Sequence, residues 1–264
     1  MKIMFKYLSS LLVVLTISGC STIYSRTTYQ FETLESPFNI YYETGSEDIA
    51  KEIDGFVGDL LSEIEKAQYI KFKSPEDIKI YVFSEAERYS NYSMASIKTR
   101  GSATTNEIYI SPIIRDRLGT LRSIVAHELS HIHIRQYVGT WDYINDIPEW
   151  FHEGLAVTVS GDGGAEKVSK LEASKYLSEG KHFIPRTKGG LLKHKTAHDY
   201  GLKPQMYYRQ SSMFIRYLIH LDPNAFKRCY TALAEGDSFG SVWKLNYSKD
   251  LSELWVGFMS EIQA

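Results

Sequence analysis

The segment HELSH, from His127 to His131, constrains this 264-residue chain more than any other. On an α-helix a step of four residues turns roughly 400°, so His127 and His131 stand one above the other on a single face. Two neutral imidazoles one turn apart reach a single tetrahedral Zn²⁺. Glu128 follows the first of them and points beside the pair, where a carboxylate can take a proton from water. A third ligand is needed. It comes 22 positions after His131, where PEWFHEGLA places Glu153 on a second helical segment. Two His, one Glu and an open fourth position are the ligand set of a catalytic zinc rather than a structural one.

The first 19 residues read as a signal segment and not as part of the fold. Lys2 and Lys6 give it a positive start, and Tyr7 to Gly19 is mostly apolar; at about 13 residues that stretch is short for a bilayer span. It ends ISGC, which resembles the lipobox of bacterial lipoproteins and implies that Cys20 is the lipidated N-terminus. More than one acyl chain is what stable membrane anchoring requires. Ser21, in place of an acidic residue, implies the outer membrane by the sorting pattern of Gram-negative lipoproteins, with the domain facing the periplasm. Cys229 lies in an apolar-periodic segment and reads as a small buried hydrophobe, so neither a disulfide nor a cysteine nucleophile is expected. From Cys20 onward 28 basic residues face 32 acidic ones. That imbalance is mild, no long basic run accompanies it, and nucleic-acid binding has no support.

Residues 20–36 are rich in Ser and Thr without helical periodicity and read as a lipidated tether. The domain is expected over 37–264, with an N-terminal lobe at about 37–136 and a C-terminal lobe at about 137–264. Phe38 to Tyr42 reads as a strand, and apolar residues from Ile49 to Ile64 recur at helical spacing, predicting a helix over 47–67. Ile78, Ile80 and Val82 alternate as in a half-buried strand, and Ser84 with Glu87 has the spacing of a capping box for a short helix. Two more strands are expected at 98–103 and 107–111. The HELSH helix is expected over 120–136, ended by Gly139, and Pro148 suits the first turn of the helix carrying Glu153. A helix at 165–179, a long loop over 180–203 and four C-terminal helices at 204–221, 223–235, 238–246 and 248–262 complete the reading. The fold class is α+β: a small strand-rich N-terminal lobe, a helical C-terminal lobe and the HELSH helix between them.

With these segments placed, the chain resembles the gluzincin branch of zinc metallopeptidases. More closely, it is similar to the peptidase MA-like domain family found in bacterial envelope proteins. The resemblance covers roughly residues 75–260 and rests on HELSH, EWFHEGLA, MYYRQSSMFIRYL at 206–218, and the later EGDSF and LSELW segments. It implies a zincin-like fold with a small mixed sheet, zinc as cofactor, His127, His131 and Glu153 as ligands, and Glu128 as general base. It also implies a tyrosine near the reacting atoms, matching Tyr208, with Tyr207 an equally placed rival. Two departures stand out. An acidic residue one turn after the third ligand supports a ligand histidine in many gluzincins. Here that position is Val157, which leaves Asp146 or Glu149 to supply the support. The GAMEN-like motif that holds a free amino terminus is absent, GSATTNE at 101–107 being the nearest text, so exopeptidase action of that type is not expected.

Among the remaining histidines, His133 is two positions from a ligand and so on another face, and His152 is expected to line the cleft or pack beside Glu153. His182, His194 and His198 belong to the long loop and read as surface residues. The strand near Ala103 to Tyr109 is a candidate edge for pairing with an extended peptide. The expected activity is zinc-dependent hydrolysis of peptide bonds, as an endopeptidase acting on peptides or proteins at the cell envelope. The alternative is a zinc-binding scaffold lipoprotein that keeps the fold without turnover.

Overall fold

A computed structural model of the chain describes residues 29–190 and 195–263; the signal segment, Cys20 and His194 lie outside them. Alternation of side chains builds the sheet. Ile40, Ile80, Val82, Ile108 and Ile110 are buried on one face, while Tyr41, Tyr81 and Tyr109 lie opposite in a single cross-strand row. The strands are β1 (Glu32–Thr33), β2 (Asn39–Tyr42), β3 (Lys79–Val82), β4 (Gly101–Ala103) and β5 (Glu107–Ile110), in spatial order β1-β2-β3-β5-β4. The inner pairs β2/β3 and β3/β5 are parallel, and the outer pairs β1/β2 and β4/β5 are antiparallel. β1 corrects the extent of the tether, because Glu32 and Thr33 pair with Tyr42 and Tyr41.

The helix α1 (Glu47–Ala67) turns Ile49, Ile53, Val57, Leu60 and Ile64 inward at helical spacing and packs on the Ile face of the sheet. A short helix α2 (Ala86–Ser93) covers the other face with Tyr89 and Tyr92. The capping box expected at its start does not form. Ser84 instead donates its backbone N–H and its hydroxyl to Glu43 Oε2, at 2.9 and 3.0 Å, so a tertiary acceptor has taken the hydroxyl from the helix end.

The third helix, α3 (Leu121–Asn145), has no single apolar stripe, and every residue from Ile124 to Ile134 is buried. That is the pattern of a helix enclosed on all sides. Ile124, Val125, Leu129 and Ile132 join the sheet core, and Ile134 and Tyr143 join the helical core. At Gly139, with φ +78°, the backbone leaves helical geometry, a conformation open to glycine, and the chain turns before resuming as a short second arm.

The helical lobe consists of α4 (Glu149–Val159), α5 (Lys170–Ser178), α6 (Pro204–Leu221), α7 (Pro223–Ala234), α8 (Phe239–Tyr247) and α9 (Leu251–Gln263). Asp222 caps α7 by accepting the Ala225 N–H, as its position before Pro223 predicts. α4 and α6 approach closely at Gly154, where a Cβ would lie 2.7 Å from the Ser211 backbone. The helix expected from 165 begins only at Lys170, capped by the Ser169 hydroxyl. Residues 161–168 form a turn against α3 instead, because the Arg209 side chain takes the carbonyls of Ala165 and Val168. The segment after α5 is pinned in places: Phe183 is buried, and Trp150 Nε1 donates to Arg186 O at 3.0 Å.

Candidate metal centre

His127 and His131 leave the buried middle of α3 on the face that meets α4, and Glu153 comes from the second turn of α4. The two Nε2 atoms lie 3.1 Å apart. Glu153 Oε2 is 3.3 Å from His127 Nε2, and Oε1 is 3.7 Å from His131 Nε2. One ligating atom from each of the three residues falls within 4.8 Å of the others. The edge of a tetrahedron with bonds of 2.0–2.1 Å is about 3.3 Å, so these separations match three corners of a zinc site. Glu153 Oε2 is buried with no hydrogen-bond partner, which a cation among the three would supply. The donor set therefore fits the metal that the motif implies.

The ring orientations are set from outside. His127 Nδ1 lies 3.0 Å from Gly163 O; a carbonyl only accepts, so Nδ1 carries a proton and Nε2 is the atom turned towards Glu153. Gly164, with φ +87°, passes so close that a Cβ there would lie 3.2 Å from the His127 ring. His131 Nδ1 is 3.0 Å from the Tyr143 hydroxyl, which the second arm of α3 brings back beneath it. Neither Asp146 nor Glu149 supplies this support: Asp146 is exposed, and Glu149 lines a separate small pocket with Tyr207 and Arg186. Val157 is wholly buried. The missing acidic residue there is thus no argument against a working centre, since a carbonyl and a phenol orient the imidazoles. Tyr143 and Gly163 were not foreseen, because the first acts only after the Gly139 turn and the second lies in the short glycine-containing stretch ahead of the helix expected at 165–179, where no periodicity shows which way the chain turns.

Burial drives His131 well below the usual imidazole range, whereas against the same burial Glu153 and Glu128 hold His127 above it. Burial also works against charge on Glu153, but positive charge shared by the His131–His127 pair outweighs it and brings the carboxyl down to about 2. Glu128, with the same burial and no such net attraction, is pushed up to about 7. It stands across from β4, where a Cβ on Gly101 would lie 3.4 Å from Glu128 Oε1.

These groups open onto a cleft of about 1020 Å³ between the lobes. One wall is β4, an edge strand of the sheet, with Gly101, Ser102 and Ala103 in the lining. The expected pairing edge is therefore β4, while β5 carrying Tyr109 lies inside the sheet and is unavailable for pairing. Tyr208 lines the cleft with its ring centroid 6.4 Å from that of His127. Tyr207 faces away and packs against Phe183 and Tyr200. His152 lines the cleft with Nδ1 3.6 Å from Glu153 Oε1. His133 stands apart from the cluster, its ring nitrogens 2.7 Å from Tyr230 Oη and 3.0 Å from Ile70 O. Of the long-loop histidines, His198 is exposed and His182 is half-buried beside Trp255.

Fold and site together describe a mixed α+β protein with a small sheet, a mostly helical remainder and a buried His-His-Glu cluster in an interlobe cleft. Among solved structures the fold is similar to that of yeast LTA4 hydrolase in complex with Bestatin, with a TM-score of 0.54 and 13% sequence identity. The likeness covers 89% of this chain and 38% of that one, so the chain spans well under half of its neighbour's length. No protein-family model matches the sequence, and no curated protein matches it.

Proposed function

We propose that the protein is a zinc-dependent peptidase, an endopeptidase anchored to the cell envelope by a lipid on Cys20. The observation that carries the reading is the convergence of His127, His131 and Glu153, with Glu128 beside them, in a cleft walled by the edge strand β4. Zinc bound by these three residues would supply a Lewis acid for the scissile carbonyl and make water a nucleophile near neutral pH. Glu128 accepts the proton of the attacking water and passes it to the leaving amine; a base near neutrality suits both transfers. An extended substrate runs along β4 by backbone hydrogen bonds. The Tyr208 hydroxyl donates to the carbonyl oxygen as it becomes negative, while Tyr207, packed in the core, takes no part.

The reading stands or falls first on the metal. Protein purified without chelators is expected to carry one zinc per chain, with His127→Ala as the empty control. A native protein without zinc would sink it. Tyr208→Phe is expected to keep zinc and fold but lose on the order of 10²-fold in kcat, the scale for one oxyanion donor. Tyr207→Phe should leave kcat nearly unchanged; equal losses in the two would remove Tyr208 from the mechanism.

Among the described residues no helix is long and apolar enough to cross a membrane. Anchoring through Cys20 then predicts that Cys20→Ala moves the protein from the membrane fraction to the soluble fraction. Retention on membranes by the variant would assign the attachment to another part of the chain.

A further inference from the structure

Arg135 follows His131 by one helical turn, so His127, His131 and Arg135 share one face of α3 and line the same cleft. Its Nη1 donates to Ala103 O on β4 at 3.2 Å, and its guanidinium carbon lies 4.2 Å from the centre of the Tyr143 ring. Those contacts fix the side chain without neutralising it. No carboxylate among the described residues forms an ion pair with Arg135, and its Nε is buried with no hydrogen-bond partner. Glu128 feels the charge of Arg135 from across the cleft but does not contact it, so the guanidinium fork is left for a ligand, and a carboxylate is the planar anion it fits.

Away from Glu128 and Glu153, the rim of the cleft is mostly basic. Lys98, Lys167 and Lys203 stand at the cleft against a single exposed acid, Glu172. Arg100, by contrast, is already paired with Glu166 at 2.8 Å. One helical turn separates Arg135 from His131 by about 6 Å along the axis. An extended peptide covers that length in about two residues.

We infer that Arg135 is a specificity-determining residue that binds a substrate carboxylate within about two residues of the scissile bond, making acidic peptides the preferred substrates. This rests on the peptidase reading for its chemistry but not for its binding. For an endopeptidase the carboxylate is an Asp or Glu side chain; a free C-terminus in its place would make the cut that of a carboxypeptidase.

The test uses the full chain loaded with zinc and one equimolar pool of octapeptides, in which Glu is matched by Gln at each position and free C-termini by amides. Immobilised Glu128→Gln protein is expected to retain Glu-containing or free-acid members at least tenfold over their neutral partners, as read by mass spectrometry. In Glu128→Gln/Arg135→Gln that ratio should fall to about one, and Arg135→Lys should preserve only part of it. Turnover of the same pool by the native protein should show the same ratio in kcat/KM. The Glu and free-acid arms tell which source of carboxylate is used.

A native ratio near one overturns the inference. So does an unchanged ratio in Arg135→Gln, even with lower turnover throughout, since that is the mark of a merely structural contact. Selective retention without turnover would instead overturn the peptidase reading and leave the carboxylate site standing. Zinc content and melting temperature of each variant separate these outcomes from misfolding.

Discussion

Glu128→Gln is expected to bind zinc and to melt like the native protein while turnover of peptides falls by 10² to 10⁴-fold, the range for loss of a positioned general base. The amide is the same size as the carboxyl, so the close approach of β4 at Gly101 is undisturbed. Burial already holds the Glu128 carboxyl up near 7, so removing its charge costs the fold little. What the amide lacks is a basic oxygen. Comparing envelope proteins exposed to native and Glu128→Gln protein, fragments that disappear with the variant would identify substrates. Unchanged turnover by the variant would remove Glu128 from the chemistry, and an unchanged phenotype in cells would favour the scaffold reading over the peptidase.

Arg209→Met should cost about 2 kcal/mol of stability, the scale for leaving a buried carbonyl without its donor, since half-exposed Asp162 keeps Arg216. It should also weaken zinc binding by on the order of tenfold, as loss of a ligand's supporting contact does. Arg209 is buried on α6, next to Tyr208, with Nη1 2.6 Å from Asp162 Oδ1. Its Nε and Nη2 donate to Val168 O at 2.8 Å and Ala165 O at 3.0 Å. One side chain thus holds the turn over residues 162–168, and that turn carries Gly163 O onto His127 Nδ1. Methionine fills the volume but leaves Val168 O without a donor, Ala165 O with only the Val168 N–H, and Asp162 with Arg216 alone. Urea unfolding and zinc competition against a chromophoric chelator measure the two effects separately. If stability falls while zinc affinity per folded molecule is unchanged, the turn does not orient His127.

The helices were legible where one face of a segment is apolar. α1, α6 and α7 follow their Ile, Phe and Leu spacing closely, because such a stripe has only one way to leave water. Legibility failed where a polar group had a choice of partners. Ser84 has the spacing of a helix cap but donates to Glu43, 41 residues away. The segment after Gly163 has helical composition, yet Arg209 claims its carbonyls and the helix starts later. Two residues as short as Glu32 and Thr33 carry no periodicity of their own and become a strand only because β2 offers an edge.

The site divides along the same line. His127, Glu128 and His131 are joined by helical geometry alone, since one turn of backbone brings the two imidazoles together whatever surrounds them. Their spacing and the EGLA segment were enough to single out Glu153, whose carboxylate the fold brings to the two imidazoles. The choice between Tyr207 and Tyr208 was open, because neighbours on a helix differ by about 100° and only the packing partner decides which one faces the cleft. Phe183 and Tyr200 take Tyr207 into the core, and Tyr208 is left beside His127. The groups that orient the imidazoles were beyond reach for a related reason. Gly163 and Tyr143 reach His127 and His131 through a glycine-rich turn and a kink at Gly139, and the direction a chain takes after such a break is set by what it then packs against.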